Sequence, residues 1–257
     1  MNITIANISS QISDQDFAAA VTAIGFQVTN HFEPAWKTGA TLKSLRVSLA
    51  AQAPIASGTD AIIYVGDTAQ DPTTGVGEAL GYHSLHEGDV PYGFVYLDVS
   101  AKYREPWSCT LSHEVLELLA DPEATKTIAG PAPDGSGDEV LYEFEVCDPT
   151  QGDHYEINSV KVSNFVAPSY FNLPSGNGLT NFLELPLRPF QVRPLGYFQY
   201  EQDGVSSIVK GRMVTKQQLR AKELLGLGRR NARRGQRRSS LRKSSNPPET
   251  HAPSAPE

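Results

Sequence analysis

The chain has 257 residues, of which 39% are hydrophobic and 20% charged, and this size and composition suit a folded domain with its own core. Its two cysteines exclude a disulfide scaffold, and no apolar run reaches the roughly 20 residues that a membrane-spanning helix needs. The formal net charge of −7 is unevenly distributed, because residues 1–209 carry 9 bases and 26 acids, whereas the stretch from Lys210 to Lys243 carries 13 bases and one acid.

The hydrophobic pattern predicts an α+β body over residues 1–205 that contains a mixed sheet. Strands are expected at residues 2–6, 42–49, 60–66, 92–99 and 139–147, with a hairpin over 155–162 around Asn158-Ser159. Helices are expected from Ser13 or Asp14 to near Gly25, and over residues 110–120. Residues 66–88 are predicted to form a long surface loop, and residues 163–200 an irregular Pro-rich segment.

The C-terminal segment differs from this body in composition. Residues 206–257 are rich in Arg, Ser and Pro and poor in apolar groups, so we expect a mostly disordered basic tail with a short helix at residues 214–225. The bases of residues 210–243 predict an anionic partner, namely an acidic protein surface, nucleic acid or anionic lipid. The alternative is a solvated tail that contacts the chain's own acidic body.

The start of the chain has no basic residue before Lys37. A secretory signal peptide begins with a positively charged region. We therefore expect a cytoplasmic or particle-associated protein without a signal peptide or a transmembrane segment.

The predicted helix over residues 110–120 carries the clearest chemical pattern, which reads SHEVLELLADPE from residue 112. His113 and Glu117 are four residues apart and leave the same face of a helix, and Asp121 lies one turn further along. Glu114 lies about 100° round the helix from His113. Two metal ligands one turn apart, with an acid beside the first, are the layout of a zincin active-site helix. In that layout Glu114 is the general base that accepts a proton from the attacking water.

The sequence departs from the zincin pattern H-E-x-x-H at its second ligand position, which is Glu117 here. Glutamate binds zinc through oxygen, so the position remains chemically able to serve as a ligand. The alternative interpretation is a helix whose polar face is solvated or salt-bridged.

A further ligand has to come from another segment. Glu145 and Asp148 occur in YEFEVCDP, where a carboxylate at a strand end would close a metal site facing the helix. The alternatives are a strand with a solvated acidic face and, for Asp148 before Pro149, a residue that begins a turn. His83, in GYHSLHEG, is a third candidate, as a metal ligand or a contact to substrate, and the alternative is an ordinary surface histidine. Cys147 lies beside Asp148, and we interpret it and Cys109 as small buried residues.

Four stretches resemble an uncharacterised family of bacterial and phage-associated proteins, which in outline is similar to the zincin-type metallopeptidases. They read GYHSLHEGDVPYGFVYLDVS, WSCTLSHEVLELLADP, YEFEVCDPTQGDHYEI and VSNFVAPSYF, and the likeness covers roughly residues 1–205. The resemblance implies His113 as a metal ligand, Glu114 as the general base and Glu117 as the second ligand. It also implies that Asp121 or Asp148 completes the zinc site and that His83 lies at its mouth.

Three functions of different classes follow from these patterns. The first is a zinc-dependent, peptidase-like hydrolase that acts on a peptide or protein. The second is a non-catalytic structural or assembly protein of a phage particle or secretion-type assembly, docked through the basic tail. The third is a nucleic-acid-associated protein tethered by the tail. The acidic body makes this function less favourable, because it repels phosphate.

Overall fold

The computed structural model describes residues 1–47, 59–68, 81–85, 90–175 and 178–215. The helices are α1 (Asp14–Gln27), which continues through a π-helical segment (Val28–Phe32) into α2 (Glu33–Trp36), and then α3 (Leu97–Tyr103) and α4 (Trp107–Ala120). The strands are β1 (Asn2–Asn7), β2 (Thr41–Arg46), β3 (Ala61–Gly66), β4 (Gly81–Leu85), β5 (Pro91–Tyr96), β6 (Thr127–Pro131), β7 (Glu139–Glu143), β8 (His154–Ile157), β9 (Val160–Ser163), β10 (Tyr197–Gln202) and β11 (Val205–Lys210).

The largest sheet has five strands in the order β2-β1-β3-β5-β4. Strands β1, β2, β3 and β5 are parallel, and β4 pairs antiparallel with β5 at one edge. The apolar runs of β1 and β3 are buried along almost their whole length, as expected for parallel strands covered on both faces. This arrangement confirms the predicted α+β class and the mixed sheet.

Two smaller antiparallel sheets complete the fold. One has four strands in the order β11-β10-β7-β6, and the other is the β8-β9 hairpin. The predicted hairpin turn at Asn158-Ser159 is confirmed, and both residues adopt positive φ angles of 50° and 65°. Helix α4 packs against β4 and β5 of the large sheet and against β9 of the hairpin.

Helix α1 begins where the sequence predicts, because the Ser13 hydroxyl accepts a hydrogen bond from the Asp16 amide at 3.0 Å. The predicted end near Gly25 is wrong. The apolar positions Ile24, Val28 and Phe32 continue at intervals of one turn, and all three are fully buried. Their burial outweighs the weak helix propensity of one glycine.

Other predicted boundaries also need correction. The strand predicted over residues 92–99 ends at Tyr96, where α3 begins, and the strand predicted over 139–147 ends at Glu143. Part of the loop predicted over 66–88 is the edge strand β4. The boundary at residue 205 lies too early, because β11 pairs with β10 as far as Lys210. Residues 214 and 215 are not helical, and the rest of the helix predicted over 214–225 lies outside the described residues.

Candidate functional site

Helix α4 is buried all round: every residue from Ser108 to Ala120 is shielded from solvent. Its polar side is therefore covered, which excludes a solvated polar face, whereas the alternative of a salt-bridged polar face agrees with the ion pairs of the helix. His113 and Glu117 lie one turn apart, with His113 Nε2 at 3.1 Å from Glu117 Oε2. Two ionisable side chains that are buried together need partners that satisfy both their charge and their hydrogen bonds.

The segment after β7 supplies those partners. The backbone amides of Cys147 and Asp148 donate hydrogen bonds to Glu117 Oε1 at 3.1 and 3.2 Å. These bonds leave Glu117 Oε2 facing His113. Asp148 Oδ1 approaches the same His113 Nε2 to 3.2 Å. One imidazole nitrogen and two carboxylate oxygens from separate segments therefore converge.

The pKa of His113 is raised by the carboxylates around it. Burial by itself would lower the pKa of His113, but the negative charges of Glu117, Asp148 and Glu114 outweigh it and raise the pKa to about 10. In the metal-free protein a proton on His113 is therefore stabilised among acids. A divalent cation bound there would replace that proton and meet the same charges.

Tyr197, the first residue of β10, is the second neighbour of Asp148. Its hydroxyl donates a hydrogen bond to Asp148 Oδ1. Burial, together with the charges of Asp148 and Glu117, raises the pKa of Tyr197 well above its ordinary value, so the hydroxyl keeps its proton. Tyr197 thus orients the carboxylate that faces His113.

Cys147 also belongs to this group of residues. Its sulfur, a nitrogen of His113 and an oxygen of Glu117 all lie within 4.8 Å of one another. Burial and the nearby Glu117 and Asp148 raise the pKa of the Cys147 thiol, so the sulfur is a neutral thiol in the metal-free protein. The prediction that Cys147 is a small buried residue agrees with its complete burial, but sequence reasoning missed its place beside His113.

A second pair lies on the neighbouring face of α4, under the edge strand β4. His83 Nδ1 is 3.4 Å from Glu114 Oε2, and His83 Nε2 is 3.2 Å from the backbone carbonyl of Asp121. His83 and Glu114 are only 1% and 3% exposed. His83, which the resemblance implied at the mouth of the site, lies buried against the helix, and its burial excludes the alternative of a surface histidine.

Two predicted site residues lie apart from these convergent groups. The Asp121 carboxylate accepts a hydrogen bond from the Lys126 amide at 2.7 Å and so closes the turn after α4. Glu145 is 3% exposed, and neither group of ligand atoms that lie within 4.8 Å of one another contains Glu145 or Asp121. The burial of Glu145 and Glu143 excludes the interpretation of a solvated acidic face.

The burial of acids in this region exceeds what the buried bases can balance. Six carboxylates are at most 5% exposed, and the buried bases of the described residues are two histidines. The acids are Glu114, Glu117, Asp121, Glu143, Glu145 and Asp148, and the histidines are His83 and His113. A bound cation is one way in which such a surplus of buried carboxylates can be balanced.

The distances fit a zinc ion. Zinc lies about 2.0–2.2 Å from nitrogen and oxygen ligands, so neighbouring ligands of a tetrahedral ion are about 3.3–3.6 Å apart. The oxygens of Glu117 and Asp148 lie at 3.1 and 3.2 Å from His113 Nε2, close to that spacing. His113 is therefore spaced from Glu117 and from Asp148 as one zinc ligand is from another, while the group whose ligand atoms all lie within 4.8 Å of one another joins His113 and Glu117 with Cys147.

Comparisons of the chain with protein-family models, with curated proteins and with solved structures found no match. In the part of the chain that the structure describes, no helix has the length and apolar character needed to cross a bilayer.

Proposed function

We propose that the protein is a zinc-dependent hydrolase of the peptidase type. One observation carries the proposal: His113 Nε2 faces a carboxylate oxygen of Glu117 at 3.1 Å and one of Asp148 at 3.2 Å in a buried site. His113 and Glu117 would hold the metal, with Asp148, or Cys147 in its place, as the third ligand. Zinc bound there supplies a Lewis acid that polarises a substrate carbonyl and lowers the pKa of water.

The general base of the proposed reaction is Glu114. Its Oε2 atom is buried and has no hydrogen-bond partner, and the residue directly follows the ligand His113. An acceptor with a free lone pair beside the ligands can take the proton of an attacking water and return it to the leaving amine. The substrate of this chemistry is a peptide or protein, whose amide carbonyl is the group attacked.

The partners of the ligands hold the site in place. The Cys147 and Asp148 amides fix Glu117 Oε1, and the Tyr197 hydroxyl fixes Asp148 Oδ1. Hydrogen bonds that orient ligand carboxylates typically contribute 10–100-fold to metal affinity or activity.

Cleavage of a peptide library tests the proposal. Protein stripped of metal and reloaded with one equivalent of zinc should cleave peptides, and Glu114→Gln should abolish turnover while zinc stays bound at His113. Glu156→Gln, which changes an exposed glutamate of β8, is the matched control and should retain turnover. Equal turnover in wild type and Glu114→Gln would refute the assignment of the base.

A second candidate function rests on the distribution of charge. The acidic body and the 13 bases between Lys210 and Lys243 favour a particle-associated or assembly protein that docks on an anionic surface through residues 210–243. The anionic partner is an acidic protein or nucleic acid. This function is compatible with a zinc site that is not catalytic.

A further inference from the structure

Two buried atoms on the β4 side of α4 face each other without a hydrogen bond. They are His83 Nδ1 and Glu114 Oε2, which lie 3.4 Å apart, and neither has a hydrogen-bond partner. Both residues are at least nine-tenths buried. An unsatisfied polar atom at such burial is costly, and two of them aimed at one point indicate a missing partner.

The tautomer of His83 leaves its Nδ1 atom free to bind a ligand. His83 Nε2 lies 3.2 Å from the Asp121 carbonyl oxygen, which can only accept a hydrogen bond, so Nε2 carries the proton. In the neutral ring Nδ1 then presents a lone pair to the carboxylate oxygen of Glu114. A histidine that donates one ring N–H to a backbone carbonyl while its other nitrogen stays free has the arrangement of a metal ligand.

Glu117 supplies a third donor to the same point. Ligand atoms of His83, Glu114 and Glu117 all lie within 4.8 Å of one another. The distance of 3.4 Å between His83 Nδ1 and Glu114 Oε2 also matches the spacing of about 3.3–3.6 Å between ligands of a tetrahedral zinc ion. Glu117 is thus common to this group and to the group around His113.

We propose that His83, Glu114 and Glu117 form a second divalent-cation site, adjacent to the site of His113, Glu117 and Asp148. The two sites share Glu117. Glu114 acts as the general base of the proposed reaction only while the second site is empty, because a cation bound there occupies its free oxygen. The pairing of the two sites rests on the proposed zinc site at His113, since Glu117 serves both. The second site would bind a small divalent cation, such as zinc, that takes one imidazole nitrogen and carboxylate oxygens as ligands.

Zinc stoichiometry of the full chain tests the second site independently of any activity. Metal-stripped protein is dialysed to equilibrium against zinc sulfate, and bound zinc is counted by mass spectrometry. Wild type should hold about two zinc ions per chain and His83→Gln about one. His83→Gln keeps a donor for the Asp121 carbonyl. His113→Gln should also hold about one zinc ion, because the His83 site remains.

The matched control is His154→Gln, which changes an exposed histidine of β8 and should bind as much zinc as wild type. Should His83→Gln not fold by circular dichroism, Glu114→Gln provides the same comparison. A count of about one in both wild type and His83→Gln would overturn the second site and leave the His113 site standing. No zinc in wild type would overturn the proposed function and the second site with it.

Discussion

The two oxygens of the Glu117 carboxylate have different neighbours, and this difference explains how a buried acid is tolerated. Oε1 accepts two backbone N–H groups, and Oε2 faces His113 at 3.1 Å. The amides satisfy one oxygen permanently, so the remaining charge is directed at His113. A cation at that place neutralises the acid without disturbing its backbone bonds.

Tyr197→Phe tests the hydroxyl that orients Asp148. The substitution keeps the ring in the core but leaves a buried carboxylate without one donor, which costs about 1–3 kcal/mol. We expect the free energy of unfolding of the metal-free protein to fall by that amount in urea denaturation. Tyr200→Phe, on the same strand β10, should change it by less, and equal effects of the two substitutions would contradict the assigned role.

The raised pKa of His113 predicts that the free energy of unfolding depends on pH. It rises from 6.5 to about 10 on folding, so the stability that protonated His113 contributes is present below pH 6.5 and is lost as the pH rises through about 10. The difference in unfolding free energy between metal-free wild type and His113→Gln should therefore shrink over that range. Urea denaturation at several pH values measures it, and a constant difference would disprove the charge assignment.

Part of the site can be predicted residue by residue from the sequence. The i, i+4 spacing of His113 and Glu117 is enough to predict that both leave one face of a helix. The place of Cys147 and Tyr197 was not predictable, because it depends on a loop and a strand that return to α4 from 30 and 80 residues further along the chain. Cys147 lies in the YEFEVCDP stretch beside the candidate ligand Asp148, whereas Tyr197 carries no local motif.

Helix α4 packs against the edge strand β4 beside the site. At Gly81 an added Cβ would lie 2.8 Å from Glu114 Oε1 and 2.9 Å from Thr110 Cγ2. These separations are shorter than van der Waals contact. Glycine therefore allows β4 to approach the helix, and this approach brings His83 to Glu114.

Gly81→Ala should push β4 away from α4 and lower the free energy of unfolding by about 1–3 kcal/mol, as overpacking in a core does. Gly25→Ala is the matched control, because its Cβ would meet nothing within 4 Å. Inside α1 that change should raise stability by about 0.5–1 kcal/mol. Thermal or urea unfolding measures both, and destabilisation by Gly25→Ala comparable to that of Gly81→Ala would contradict this account of the contact.

Strongly periodic elements were predictable and short ones were not. The apolar stripe of Leu111, Val115 and Leu118 fixes α4, and all three are fully buried. Strand β4 escaped detection because its few residues lie among turn-forming types, and its pairing with β5 is a tertiary contact. Helix α3 was missed because LDV continues the apolar run of β5 without a turn signal.

At the scale of the whole molecule, the separation of charge is the dominant feature of the sequence. Residues 229–238, RRNARRGQRR, hold six arginines. Replacing these six by glutamine in the full chain should weaken binding to duplex DNA of any sequence, if nucleic acid is the partner. The slope of log affinity against log salt should then fall by up to about 0.9 for each arginine that contacts a phosphate.

Fluorescence anisotropy with two unrelated duplexes across a range of salt concentrations makes this measurement. Substituting Lys102 and Arg104, exposed bases of the body, controls for general loss of charge. Unchanged DNA binding after the six substitutions would exclude nucleic acid as the partner of this segment.

The α+β class was predictable from composition and periodicity, whereas the extent of the body was not. Strand β11 follows a two-residue turn after β10 and extends the body past residue 205. Its sequence VSSIVK carries a weak signal beside the basic segment. Such a strand is recognised only through its antiparallel partner.

X-ray absorption at the zinc edge shows directly whether His113 binds zinc. In protein loaded with one equivalent of zinc, we predict an imidazole nitrogen and carboxylate oxygens at about 2.0–2.2 Å, and loss of the imidazole signal in His113→Ala. Sulfur at about 2.3 Å would instead identify Cys147 as a ligand in place of Asp148. A spectrum of oxygens alone that is the same in wild type and His113→Ala would contradict the claim that His113 holds the metal.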